Sequence, residues 1–225
     1  MSVLVILFLT AILALFSGVY NQGKYARYIG ILGLFAALAA SFYPDCSFFT
    51  QYKTMFLYDD NAALFTKISL VITLLIFFFG GFAFNNHWSH QSEFYALMLF
   101  SLCGGLILFS FQNFVTLFLG IEVLSIPLYV LAGSNKTNLR SNEASIKYFL
   151  MGAFSTGFLL FGIALIYGTT GSFDITKIST YSIENGRNTM FVMGIMLMLV
   201  TMAFKVSLAP FHMWSPDVYQ GSPSI

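Results

Sequence analysis

Seven apolar runs divide this chain, near residues 2–20, 27–43, 61–84, 94–111, 113–133, 144–168 and 190–209, with short polar connections between them. Each is close to the ~20 residues a helix needs to cross the hydrocarbon core of a bilayer. The pattern therefore predicts an all-α, polytopic membrane protein of about seven transmembrane helices. The fourth and fifth runs are joined by a tight turn around Gln112 and Asn113, which predicts antiparallel neighbours. Thr169–Thr189 is the longest well-placed connection, and Phe173–Tyr181 within it reads as a short surface helix. Gly152, Gly157 and Gly162 give the sixth run places where another backbone can approach closely.

The stretch Met190–Gln220 does not behave as a plain membrane anchor. Lys205 stands inside the apolar run, the helix is expected to break at Pro210, and a short segment with His212, Trp214, Pro216 and Asp217 follows. Hydrocarbon penalises a lysine and a broken backbone alike, so both need protein or water around them. A discontinuous helix with a buried ionisable group is the kind of element from which ion paths through membranes are built.

Composition supports the membrane assignment. The chain has 225 residues, of which 58% are hydrophobic and 8% charged, against about 25% charged in soluble domains. The net charge of +1 argues against a nucleic-acid partner. Cys46 and Cys103 are far apart and form no CxxC or Cys/His cluster, so an iron–sulfur site made by this chain alone and a disulfide framework are both excluded. No phosphate loop, dinucleotide fingerprint or zinc spacing occurs. The chain therefore offers no metal site and no redox or nucleotide-driven chemistry of its own, and its energy must come from a gradient or a partner. Met1–Tyr20 lacks a basic segment ahead of its apolar core and reads as a first span rather than a cleaved signal. Lys24, Arg27, Lys136 and Arg140 fall on one side of the membrane, and Lys53, Lys177 and Arg187 on the other. That bias puts the N-terminus outside.

The ionisable residues inside apolar runs each have two readings. Glu122 is midway along the fifth run, with Pro127 five residues later to remove a backbone donor and kink the helix. A charged carboxylate at that depth costs on the order of 2.5–3.5 kcal/mol, so Glu122 is either a protonated group bonded to a neighbouring helix or part of an ion path. Lys205 is ~22 Å along the seventh run at 1.5 Å per residue. It either snorkels to the headgroups or exchanges protons beside the break. Lys147 lies about one turn inside the sixth helix, behind a cap at Ser141 and four residues after Glu143. An exposed i,i+4 pair and a proton relay are both open for it. Lys67 reads as snorkelling. His212, with an ordinary pKa near 6.5, is a relay or a packed structural group, and Asp217 is a cap or a charge. Asp59 and Asp60 suit the positive end of the third helix.

Three segments, LFLGIEVLSIPLYVLAG, EASIKYFLMGAFSTGFLLFGIALIYGTTGS and FKVSLAPFHMWSPDVYQGSP, resemble the antiporter-like membrane subunits of proton-pumping NADH:quinone oxidoreductase (respiratory complex I), and PDVYQGSP resembles subunit N among them. The resemblance is strong from about Glu93 to Pro223 and loose over 1–92. It implies the first of two inverted repeats of a larger transporter-like bundle, in a multi-pass protein of a bacterial inner (plasma) membrane. It matches Glu122 and Lys205 to an interacting pair that sets the lysine's proton affinity, Lys147 to a lysine of the proton path, and His212 to a histidine beside the helix break. It places NADH, FMN, iron–sulfur clusters and quinone on partner subunits of the membrane and redox arms, with none bound by this chain. It also implies a fragment of a longer subunit, because the chain ends inside the broken-helix region without the family's further central lysines.

Overall fold

Asparagine, aspartate and glycine mark where the apolar runs start and stop as helices. The computed structural model describes residues 2–20, 23–43, 55–83, 91–184 and 188–223. Cys46, Lys53, Arg187 and the side chain of Lys24 lie outside the described residues. Within them the α-helices are α1 (Ser2–Val19), α2 (Ala26–Ala40), α3 (Asp60–Ala83), α4 (Gln91–Phe109), α5 (Phe114–Ala132), α6 (Leu139–Thr170), α7 (Ile175–Glu184), α8 (Thr189–Lys205) and α9 (Trp214–Gly221). The side-chain oxygens of Asn113, Asn138 and Asn188 accept from the backbone N–H of Val115, Arg140 and Met190 at 2.8, 3.0 and 3.0 Å, which caps α5, α6 and α8. Asp59 does the same for α3 through the Ala62 N–H at 2.9 Å. Gly171, at φ 66°, closes α6 by donating its N–H to the Tyr167 carbonyl at 2.8 Å.

Five helices (α1, the Asp60–Gly80 part of α3, α4, α5 and α6) are long and apolar enough to cross a membrane, and α2 and α8 are shorter apolar helices. The membrane assignment and the all-α class therefore hold, while two of the seven runs give helices of 15 and 17 residues. The seventh run departs most from expectation, because its helix ends at Lys205 and not at residue 209. Proline disfavours helical geometry at the residue before it and clashes with the carbonyl four residues back, here Val206. The chain leaves the helix ahead of that clash, and Ser207 already has a left-handed φ of 53°.

Ser141 is not the cap of α6. That helix begins earlier, at Leu139, and Ser141 is buried, with its hydroxyl donating to the Ala132 carbonyl at 2.8 Å. Lys147 is consequently in the third turn of α6 rather than about one turn inside it.

The chain forms two compact units. The first takes Met1–Ser110 and Leu119–Leu128. In it α1 packs on α2 and α4, and α3 packs on α2 and α4. Leu7, Leu34, Leu70, Phe77 and Leu99 are fully buried at its centre. Side chains at Gly104 and Gly120 would run into Leu124 and Leu108, a pairing in opposite chain directions that bears out the antiparallel expectation for α4 and α5. Arg27 reaches from α2 to the last turns of α3, where Nε and Nη2 donate to the carbonyls of Phe77 and Phe78 at 2.9 and 2.7 Å.

The second unit takes Phe111–Phe118 and Tyr129–Pro223. Here α6 is the common partner of α7, α8 and α9. At Gly162 and Gly194 the backbones of α6 and α8 come so close that a Cβ on either would sit 2.8 or 2.9 Å from the other's carbonyl oxygen. Gly157 instead faces open space. The Phe114 N–H donates to the Phe173 carbonyl and the Ile175 N–H to the Gln112 carbonyl, at 3.0 and 3.3 Å. These bonds tie the connection before α5 to the start of α7. The expected surface helix is present as α7, anchored by Ile178 against Ile166 and Phe191.

Candidate functional site

The break after α8 is spanned by side chains rather than by continuous helix. Between Lys205 and Trp214 the chain turns through Val206–Met213, and Trp214 folds back on the helix it has just left. Its indole N–H donates to the Phe204 carbonyl at 3.2 Å. Its ring stacks on Phe204 on one side (5.3 Å between centroids, 25° between planes) and on Tyr148 of α6 on the other (4.9 Å, 7°). Tyr148 in turn meets Tyr129, at the C-terminal end of α5, edge-on at 4.6 Å.

Lys205 ends α8, where the negative end of the helix dipole favours a cation. The side chain is half-buried, and its ammonium donates to the Tyr129 hydroxyl at 3.1 Å while lying 5.7 Å from the centre of that ring. Tyr129 is 4% exposed. The Ser145 hydroxyl donates to its backbone carbonyl at 2.8 Å, and a Cβ at Gly152 would overlap its hydroxyl. Nothing in the sequence marks Tyr129 as a partner of Lys205, because a tyrosine in an apolar helix looks like packing.

A second ionic group lies where α9 meets the start of α6. Lys147 Nζ is 2.8 Å from Glu143 Oε1 and 2.7 Å from Asp217 Oδ2. The three side chains, with Arg140, Ala144, Gln220 and Gly221, line an open cleft of about 280 Å³. Both the i,i+4 pair and a longer-range partner are thus present, and Asp217 acts as a charge facing α6 from the first turn of α9. The lysine and two carboxylates leave the trio with one net negative charge.

Glu122 is half-buried on α5 in the first unit, and Pro127 is buried within the same helix. His212 is exposed in the turn, with its carbonyl accepting from the Ser215 N–H at 3.1 Å. Pro210 lies in the turn and is exposed. Lys67 Nζ lies 4.8 Å over the Phe42 ring in the first unit. Among the described residues no three His, Cys, Asp or Glu side chains gather as metal ligands.

Residues 111–225 match the family described as NADH:quinone oxidoreductase/Mrp antiporter, TM. The chain belongs to this family. In this antiporter-family chain the matched segment contains Glu122, Tyr129, Lys147, Lys205, His212, Trp214 and Asp217. NADH-quinone oxidoreductase subunit N of Flavobacterium johnsoniae is 42% identical over 195 residues, covering 87% of this chain and 42% of the relative. Subunit N of Cytophaga hutchinsonii is 45% identical over 199 residues, covering 87% and 41%. A chain of respiratory complex I from Thermus thermophilus with bound Aureothin superposes with a TM-score of 0.74 at 32% identity, covering 98% of this chain and 48% of that one. The family chain thus spans somewhat under half the length of these relatives, and its likeness to subunit N extends beyond the matched segment into the first unit.

Proposed function

We propose that the chain is part of a proton-translocating membrane subunit of NADH:quinone oxidoreductase, in the inner (plasma) membrane of a bacterium, working beside other membrane-arm subunits. Electrons pass from NADH through FMN and iron–sulfur clusters to quinone on partner subunits, and this chain moves protons in response. Charge displacement near Glu122 alters how strongly the protonated form of Lys205 is held. A change of one pKa unit corresponds to 1.36 kcal/mol, which a modest change in charge separation supplies at low dielectric. Lys147 and His212, with intervening water, connect Lys205 to an aqueous face or to the next site.

The observation that carries this reading is the position of Lys205: its ammonium ends an interrupted apolar helix and is held on a buried phenol rather than released to solvent. The family also takes in Mrp antiporters. The similarity to two bacterial subunit N proteins favours the redox complex, and co-purification with flavin and iron–sulfur subunits separates the two readings.

The test substitutes Glu122→Gln and Lys205→Met, one at a time, in the complete subunit and reads NADH oxidation, proton pumping and complex abundance in membrane vesicles. Loss of pumping from an assembled complex supports the relay. Normal pumping by either assembled variant rules it out. Abundance falling in step with pumping would make these charges packing elements only.

A further inference from the structure

We propose that Tyr129 is a positioning residue for Lys205, a role that rests on reading Lys205 as the proton site. A phenol hydroxyl can both accept and donate a hydrogen bond. It accepts from the ammonium, as in the structure at 3.1 Å, and by rotating its own hydrogen it donates to the neutral amine. One group therefore holds the lysine nitrogen in place through both of its charge states. An aliphatic partner would hydrogen-bond neither state, and a carboxylate, which only accepts, would hold chiefly the charged one.

The surroundings of Tyr129 fix the hydroxyl where this needs it. Tyr148 and Phe149 meet the ring edge-on at 4.6 and 5.9 Å. The Ser145 hydroxyl holds the backbone carbonyl at 2.8 Å, two residues after Pro127. Gly152 leaves the room the hydroxyl occupies, because any side chain there would displace it. Packing therefore locks the ring and with it the position of the hydroxyl oxygen, which is how a positioning group is pre-organised. The other titratable and charged groups on the elements that meet α8 are Arg140, Glu143, Lys147, Tyr148 and Tyr167 on α6, Lys177, Tyr181 and Glu184 on α7, Asp217 and Tyr219 on α9, and Glu122 on the helix that carries Tyr129. Lys147 is itself engaged by Glu143 and Asp217.

The experiment compares Tyr129→Phe and Gly152→Ala with wild type in the complete subunit of the intact complex. It reads proton pumping and NADH oxidation per assembled complex from pH 6 to 9, with Lys205→Met alongside. The bond accepted from the ammonium is charge-assisted and stronger than the one donated to the neutral amine, so losing the hydroxyl should move the alkaline limb of the pumping profile to lower pH, by at most roughly one unit. NADH oxidation should keep its own profile. Gly152→Ala should move the limb in the same direction by displacing the hydroxyl, even where Tyr129→Phe lowers yield. An unmoved limb in both variants overturns the proposal, as does an equal loss of pumping at every pH. If Lys205→Met pumps normally, the proton-site reading fails and Tyr129 falls with it. If Lys205→Met is silent while both other profiles stay in place, Tyr129 alone is wrong.

Discussion

Lys147 Nζ lies 2.7 Å from the Asp217 carboxylate, joining α6 to the segment beyond the helix break across 70 residues of sequence. The pair is open to solvent, with side-chain exposures of 43% and 55%, and Glu143 offers a second carboxylate at 2.8 Å. Exposed pairs contribute little to stability. Asp217→Asn and Glu143→Gln should therefore each leave the Tm of the solubilised protein within about 2 °C of wild type. Function should respond differently, because either carboxylate can hold the lysine alone. Each single substitution should lower pumping modestly, and the double substitution by more than the two effects combined. Additive losses would mean that the carboxylates do not share Lys147.

The contact between Trp214 and Phe204 makes a sharper prediction for stability. The Phe204 carbonyl also accepts from the Ser207 N–H at 3.0 Å, so it keeps a donor when the indole is removed. Trp214→Phe, which retains a ring between Phe204 and Tyr148, should cost about 1 kcal/mol. Trp214→Ala empties the stack and should cost about 3–5 kcal/mol. Denaturant melts of the two variants rank the contributions. Equal losses would mean that the hydrogen bond, not the stack, holds the break together.

Arg27 offers a test in the first unit. Its two donors satisfy neighbouring carbonyls at Phe77 and Phe78, near the C-terminal end of α3, where cations also meet the negative end of the helix. Lysine has one nitrogen and cannot reproduce the fork. Arg27→Lys should raise hydrogen exchange in the last turns of α3 by roughly tenfold, since a charged hydrogen bond contributes about 1.5–3 kcal/mol and one of the two survives. Unchanged exchange there would show that the fork caps nothing.

Much of this was legible in the sequence, for reasons that differ from element to element. Apolar runs of bilayer length gave the helices of both units, because burial and hydrocarbon both reward them. Chain direction at Gln112–Asn113 gave the antiparallel pairing of α4 and α5. Helix ends were harder: Asn138 took the cap expected of Ser141 because α6 extends five residues earlier than its apolar run, and polar residues such as Arg140 hide that extension. The end of α8 at Lys205 depends on how far upstream Pro210 acts, and the sequence names only the proline. Gly157 looks like Gly152 and Gly162 in the sequence, yet only the structure shows which of them faces another chain segment. Tyr129 was invisible as a partner of Lys205 because 76 residues separate them, and no local period connects the two.

Asp174 makes the pH prediction. Its carboxylate accepts from the Thr176 hydroxyl at 2.8 Å and from the Thr176 N–H at 2.9 Å, at the start of α7. These bonds, the side-chain one first, hold its pKa below the ordinary carboxylate value. A carboxyl depressed in the folded state adds stability that is fully present above its unfolded pKa of about 3.9 and is lost as pH falls through the lower folded value. Protection of the α7 amides against hydrogen exchange should therefore be flat from neutral pH to about pH 5 once the intrinsic rate is corrected for, and should decline below about pH 4. Asp174→Asn caps comparably and does not titrate, so its protection should not decline with acid at this site. Asp174→Ala should lose protection at every pH, by about 1 kcal/mol. An acid decline that persists unchanged in Asp174→Asn would assign the effect to another carboxylate and remove Asp174 as the cap that sets the pH dependence of α7.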